Sequence, residues 1–173
     1  MTMAPAYLML LALVAIQRVM ELFRSRRNEA AMRRAGASEH GGAHYPWMVA
    51  MHALFLPACA AEVLFLGRPF HPLVGGIALV VLAAAMALRV WTLRTLGDRW
   101  TTRVIVVPGR PLVATGPYRW LRHPNYLAVV LEFVAIPLVH GAWVAAVVFS
   151  LANLVVLAIR IRVEERALAE AVP

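Results

Sequence analysis

Apolar runs alternate with arginine-rich segments along the whole chain. The runs are Pro5–Phe23, Pro46–Leu66, Leu73–Leu96 and Tyr126–Ile159. A helix crosses a bilayer with about 20 apolar residues, so the first three each predict one span. The fourth is too long for one helix, and His140-Gly141 divides it into a helical hairpin of two spans. "RSRRNEAAMRRAGASEHGGAH" reads as a polar segment after the first span, and "GRPFHP" as a tight turn after the second. The stretch from Gly97 to Arg122 is a linker with turns at Pro108-Gly109 and Gly116-Pro117. The tail "RIRVEERALAEAV" reads as an amphipathic helix. The pattern predicts an all-α integral membrane protein with about five transmembrane helices in a single domain, 1–173. Residues 1–96 carry three spans and a basic first loop; 97–173 carry the linker, the hairpin and the tail.

Composition supports this. The chain is 62% hydrophobic, against about 45–50% for a soluble domain. Its one cysteine, Cys59, excludes an intrachain disulfide and a cysteine-cluster metal site. The net charge of +8 comes from 17 basic residues, all arginine. They flank the spans, which the positive-inside rule explains better than a nucleic-acid partner. The first loop holds Arg24, Arg26, Arg27, Arg33 and Arg34; the linker holds Arg99, Arg103, Arg110, Arg119 and Arg122; the tail holds Arg160, Arg162 and Arg166. Five spans put all three segments on one side, which predicts the N-terminus outside and the C-terminus in the cytoplasm. The first run has no preceding positive charge and its arginines follow it, the reverse of a cleaved signal peptide.

"GPYRWLRHPNYLAVVLEF", Gly116–Phe133, concentrates the candidate chemistry. Pro124 suits the first turn of a helix, so a helix begins near His123. Its N-terminus would offer free N–H groups to a carboxylate or phosphate, with Arg119, Arg122 and His123 alongside. Interface anchoring by arginine and aromatic residues is the plainer reading of the same cations. Glu132 lies on the face of Asn125; a carboxylate at that depth is functional by default, or else a structural partner of Arg89 or Asn153. Asn153, Arg160 and Glu164 share one helix face at spacings of seven and four, a stripe suited to lining a polar cavity. His44 and His52 are eight apart in "GGAHYPWMVAMHA" and lack a third ligand at metal-like spacing, so no metal is expected. His52 is either an acid–base group facing a cavity or a satisfied buried histidine. Gln17, Arg18 and Glu21 read as polar contacts within the bundle.

"PLVATGPYRWLRHPNY", followed by a hairpin and "RIRVEERAL", resembles the isoprenylcysteine carboxyl methyltransferase family over roughly Trp91–Leu168. "GGAHYPWMVAMHA" and "LGDRWTTRVIVVPG" are similar to its small bacterial branch, associated with O-methylation of alkylpyrones and alkylresorcinols made by type III polyketide synthases. The resemblance implies a bacterial cell-membrane methyltransferase with S-adenosylmethionine as cofactor. It implies cofactor contacts from Arg110, Pro111, Leu112, Val113, Tyr118, His123, Pro124, Asn125, Tyr126 and Glu164. It places the acceptor at Arg160. For a lipophilic acidic enol or phenol taken from the membrane, His44 and Asn153 are further acceptor-binding candidates, and His52 or His44 is the candidate base. An isoprenylcysteine carboxylate is the alternative acceptor. An enzyme like the sterol reductases, using NADPH, is a more remote one. A type III polyketide synthase would be the pathway neighbour.

Overall fold

The computed structural model describes residues 3–171. These form α1 (Ala4–Arg34), α2 (Tyr45–Phe65), α3 (Pro72–Leu96), α4 (Pro124–Leu138) and α5 (Trp143–Ala171), with two short strands, β1 (Ser38–His40) and β2 (Val104–Val106). Helices α1 to α4 each carry a proline in the first two positions, where the missing N–H costs nothing. The fold is the predicted all-α membrane class. Helices α1, α2, α3 and α5 are long and apolar enough to cross a membrane. Helix α4 is apolar but has 15 residues, about 22 Å of rise, and so falls short of a bilayer's hydrocarbon core of about 30 Å.

Two expected boundaries move. The segment read as a polar loop after Phe23 continues α1 to Arg34. It is rich in alanine and arginine, both good helix formers, and Glu29 pairs with Arg33 at i,i+4. The tail is not a separate helix but the end of α5. Along α1, Tyr7, Leu11, Val14, Arg18, Glu21, Ser25, Asn28 and Met32 repeat at alternating spacings of four and three. One stripe thus faces the bundle throughout, apolar at first and polar later.

The ribbon is a feature the hydrophobic pattern did not signal. β1 and β2 pair antiparallel, with Glu39 opposite Ile105. Glu39 accepts from Arg103 and Arg33. Burial would raise the Glu39 pKa, but these two guanidinium groups outweigh it and hold the carboxyl below its ordinary value. Nearby, Asn28 donates to the carbonyls of Gly97 (3.0 Å) and Trp100 (2.8 Å), tying α1 to the chain that leaves α3.

The opposite end of the bundle gathers the α2–α3 and α4–α5 turns. Glu62 accepts from the backbone N–H groups of Val144 (3.0 Å) and Ala145 (2.7 Å) and pairs with Arg68 at 2.9 Å. A carboxylate from α2 therefore satisfies orphan donors at the start of α5, where the helix dipole favours it. Gly75 lets α3 approach α4 closely, since a Cβ there would come within 2.7 Å of the Val139 carbonyl. Between the two ends, Leu11, Phe55, Leu82, Phe133 and Ile136 form the apolar core. Phe55 stacks on Phe133 with centroids 4.2 Å apart.

Candidate active site where two cavities meet

Helices α4 and α5 run antiparallel and bring Tyr126 against Arg160. Arg160 is 6% exposed, and its Nε donates to the Tyr126 hydroxyl at 2.9 Å. That hydroxyl in turn donates to Glu164 Oε2. Glu164 and Arg160 lie one turn apart on α5, so Tyr126 links a cation to a carboxylate on one helix face. The His123 ring stacks on Tyr126, with centroids 5.3 Å apart. His123 also lies 3.7 Å from Glu164 and 3.3 Å from Glu165. The Glu164 carboxylate, helped by Glu165, outweighs partial burial and raises the His123 pKa above its ordinary value.

Two cavities adjoin this group. One, of about 700 Å³, lies at the arginine-rich end. Its wall comes from the linker, including β2 and the segment from Arg110 to Ala114, and from Tyr118, Arg122, His123, Glu164 and Glu165. Gly116 takes a left-handed φ of 57° and packs against Thr95, where a Cβ would clash; this turns the linker back toward α4. Arg110 is held by Asp98 at 3.2 Å. Arg122 has no ion pair or hydrogen bond among the described residues. The second cavity, of about 410 Å³, lies among α1, α2, α4 and α5. Much of its wall is apolar, with Val49, Leu56, Phe133 and Leu157 among its members. Trp100, Thr101, Asn125, Tyr126 and Arg160 belong to the walls of both.

The second cavity also carries charge at membrane depth. Arg18 hydrogen-bonds to Glu21 and forms an ion pair with Glu132, both at 2.8 Å. Arg89 lies 2.7 Å from Glu21 and 3.5 Å from Glu132. Two cations and two anions thus form a neutral group from α1, α3 and α4. An unpaired charge among apolar helices would be costly, and mutual pairing removes that cost. His52 lines the same cavity. Its Nδ1 lies 2.8 Å from the Met48 carbonyl, which can only accept. The proton is therefore on Nδ1, and in the neutral ring Nε2 is the bare nitrogen.

The structure sorts the sequence candidates by place. Arg110, Pro111, Leu112, Val113, Tyr118, His123, Asn125, Tyr126 and Glu164 line the larger cavity. His52 and Asn153 line the smaller one, and Arg160 lines both. Pro124 does not reach either wall; it is buried in packing at the start of α4. His44 lines neither cavity; it closes the single turn Gly42–His44 that precedes α2. Glu132 takes the structural partnership with Arg89 and adds Arg18. The sequence reading missed Trp100 and Thr101 as shared wall residues. They follow a three-residue 3-10 turn after α3, a placement that no periodicity marks.

The sequence model of the isoprenylcysteine carboxyl methyltransferase (ICMT) family matches residues 76–170. That stretch holds α4, α5 and most of the wall of the larger cavity. The uncharacterized protein YpbQ of Bacillus subtilis (strain 168) is 43% identical over 162 residues, covering 94% of this chain and 96% of that protein. An uncharacterized protein of Haemophilus influenzae (strain ATCC 51907 / DSM 11121 / KW20 / Rd) is 27% identical over 148 residues, covering 85% and 86% of the two chains.

Proposed function

The chain belongs to the isoprenylcysteine carboxyl methyltransferase family, a family of membrane methyltransferases, and from that premise we propose that it transfers a methyl group from S-adenosylmethionine to an oxygen of a lipophilic enol or phenol. An alkylpyrone or alkylresorcinol is the proposed acceptor, and a type III polyketide synthase its source. One observation carries the reading: a cavity at the arginine-rich end and a cavity among the long apolar helices share five wall residues, and Arg160 is among them. A water-soluble donor and a membrane-soluble acceptor can then meet at one point.

The larger cavity suits the cofactor. Its volume lies in the range of small-molecule sites, and it offers both signs of charge. Glu164 would accept from the cofactor's amino group. Arg122 and the first N–H groups of α4 would hold its carboxylate. When bound, S-adenosylmethionine supplies a methyl group on a cationic sulfur. The protein's task is then chiefly alignment, which contributes heavily to displacement reactions. Arg160 would hold the acceptor's oxyanion with charge-assisted hydrogen bonds, and the Tyr126 hydroxyl fixes the plane of its guanidinium. An acidic enol arrives ionised and needs no strong base. For a less acidic phenol, His52 Nε2 is the nitrogen able to take the proton.

The proposed orientation puts the arginine-rich end, with the larger cavity, in the cytoplasm and Gly67 outside. The reaction is tested with purified protein in nanodiscs, S-adenosylmethionine and a panel of acceptors: an alkylpyrone, an alkylresorcinol and a farnesylcysteine. O-methylation of a ring acceptor supports the reading. Methylation of farnesylcysteine alone would transfer it to the isoprenylcysteine carboxylate. Stabilisation by NADPH and not by S-adenosylhomocysteine would overturn it altogether.

A further inference from the structure

The deep wall of the smaller cavity carries hydrogen-bonding capacity that the fold leaves unused. Asn153 is 1% exposed, and neither its Oδ1 nor its Nδ2 has a partner among the described residues. Glu132 is 3% exposed; its Oε2 meets Arg18 and Arg89, while its Oε1 has no partner among the described residues. Both residues line this cavity. Buried polar groups are almost always hydrogen-bonded. An asparagine serving only to join helices would bond across to a neighbour, and Asn153 does not.

The two residues lie at about one depth. Tyr126 and Arg160 touch where the antiparallel helices meet. Glu132 is six residues further along α4, and Asn153 is seven residues back along α5. By helix rise they are therefore about 9 Å and about 10.5 Å from the Tyr126–Arg160 contact. The neighbouring Arg18, Glu21, Arg89 and Glu132 already balance one another, so a second charged group on the ligand would find no free countercharge at this depth. A hydrocarbon chain or thioether would leave Asn153 unpaired. A neutral ring oxygen fits: Nδ2 can donate to it, and Oδ1 and Glu132 Oε1 can accept if it bears a proton.

We propose that Asn153, with Glu132 Oε1 on the wall of the same cavity, binds a second ring oxygen of the membrane-borne acceptor, deeper than the oxygen that receives the methyl group. Asn153 is then a specificity residue that separates ring acceptors with two oxygens from those with one. This rests on the methyl-transfer reading above. A site built to bond a substrate oxygen discriminates against the analogue that lacks it.

The test compares a 5-alkylresorcinol with the 3-alkylphenol of equal chain length, in wild type and in Asn153→Leu. Equilibrium binding and methyl transfer are both measured. Wild type should favour the resorcinol by about tenfold or more, the worth of one buried hydrogen bond. In Asn153→Leu the preference should vanish, through a higher KM for the resorcinol and little change for the phenol. S-adenosylhomocysteine binding serves as the control and should not move. Equal handling of both lipids by wild type overturns the proposal without need of the variant, even where methyl transfer is intact. An unchanged preference in folded Asn153→Leu overturns it as well. Tighter binding of the resorcinol that is lost in Asn153→Leu, with neither lipid methylated, would support the oxygen site while sinking the methyl-transfer reading.

Discussion

Arg18 and Arg89 in the smaller cavity and Arg110 and Arg122 in the larger one sit in opposite situations. In the smaller cavity, Arg18 and Arg89 are locked between Glu21 and Glu132 from three helices. In the larger one, Arg122 is exposed and unpaired among the described residues, and Arg110 meets only a largely exposed Asp98. At membrane depth, charge must be neutralised by the fold itself. At the arginine-rich end water screens it, so cations can remain free for a ligand. Arg160 stands between the two regimes, buried yet bonded to a tyrosine hydroxyl rather than directly to a carboxylate. That leaves its guanidinium with donors for an incoming oxyanion.

The contrast is broken most severely at Arg89. Arg89→Met strands Glu21 and Glu132 against one remaining cation and should cost about 3–5 kcal/mol, read by denaturant unfolding in detergent. Replacing Arg89 and Glu21 together with methionines leaves the Arg18–Glu132 pair and should recover most of that loss. If the single variant is as stable as wild type, the buried group is not a unit.

Arg160→Lys comes next. It keeps the charge but loses the planar fork, and turnover should fall about 10²–10³-fold, as for other losses of an oxyanion donor. S-adenosylhomocysteine affinity should hold in that variant and fall about tenfold in Glu164→Gln, the loss of one hydrogen bond to a charged group. The reverse pattern would exchange the two roles.

His123 sharpens the comparison with the smallest effect. Its folded pKa is raised, so its stabilising pairs with Glu164 and Glu165 are fully present below the unfolded value of about 6.5. They are lost as pH rises through the folded pKa. The gap in thermal stability between wild type and His123→Gln should therefore be widest in mild acid and close in alkali. A gap that widens with pH would contradict this linkage.

Local features were legible in the sequence, and of the long-range pairings only Glu132 with Arg89 was among the alternatives it offered. Pro124 marks the start of α4, and His140-Gly141 lies in the turn between α4 and α5, because each acts through its own backbone. The seven- and four-residue spacings among Asn153, Arg160 and Glu164 place them on one face by helix geometry alone. In contrast, the partnership of Arg18 with Glu132 joins helices more than a hundred residues apart. The β1–β2 ribbon pairs two three-residue strands across 63 residues of intervening chain, too short for any period to show. Glu62 sits in an apolar run and caps a helix that begins some 80 residues later. Glu29 and Arg33 lie in a stretch whose polarity suggested a loop, although helix propensity there outweighed it.

The central claim is that two ligands reach Arg160 from separate cavities. Single cysteines at Leu168, in the larger cavity, and at Leu56, in the smaller one, allow each to be filled with a bulky thiol reagent. The native Cys59 is fully buried and does not compete. S-adenosylhomocysteine binding and methyl transfer are then measured on each blocked protein. Filling at Leu168→Cys should abolish both, while filling at Leu56→Cys should abolish transfer and leave S-adenosylhomocysteine affinity within about twofold. Intact S-adenosylhomocysteine binding after the Leu168→Cys block, or its loss after the Leu56→Cys block, would contradict the two-cavity account.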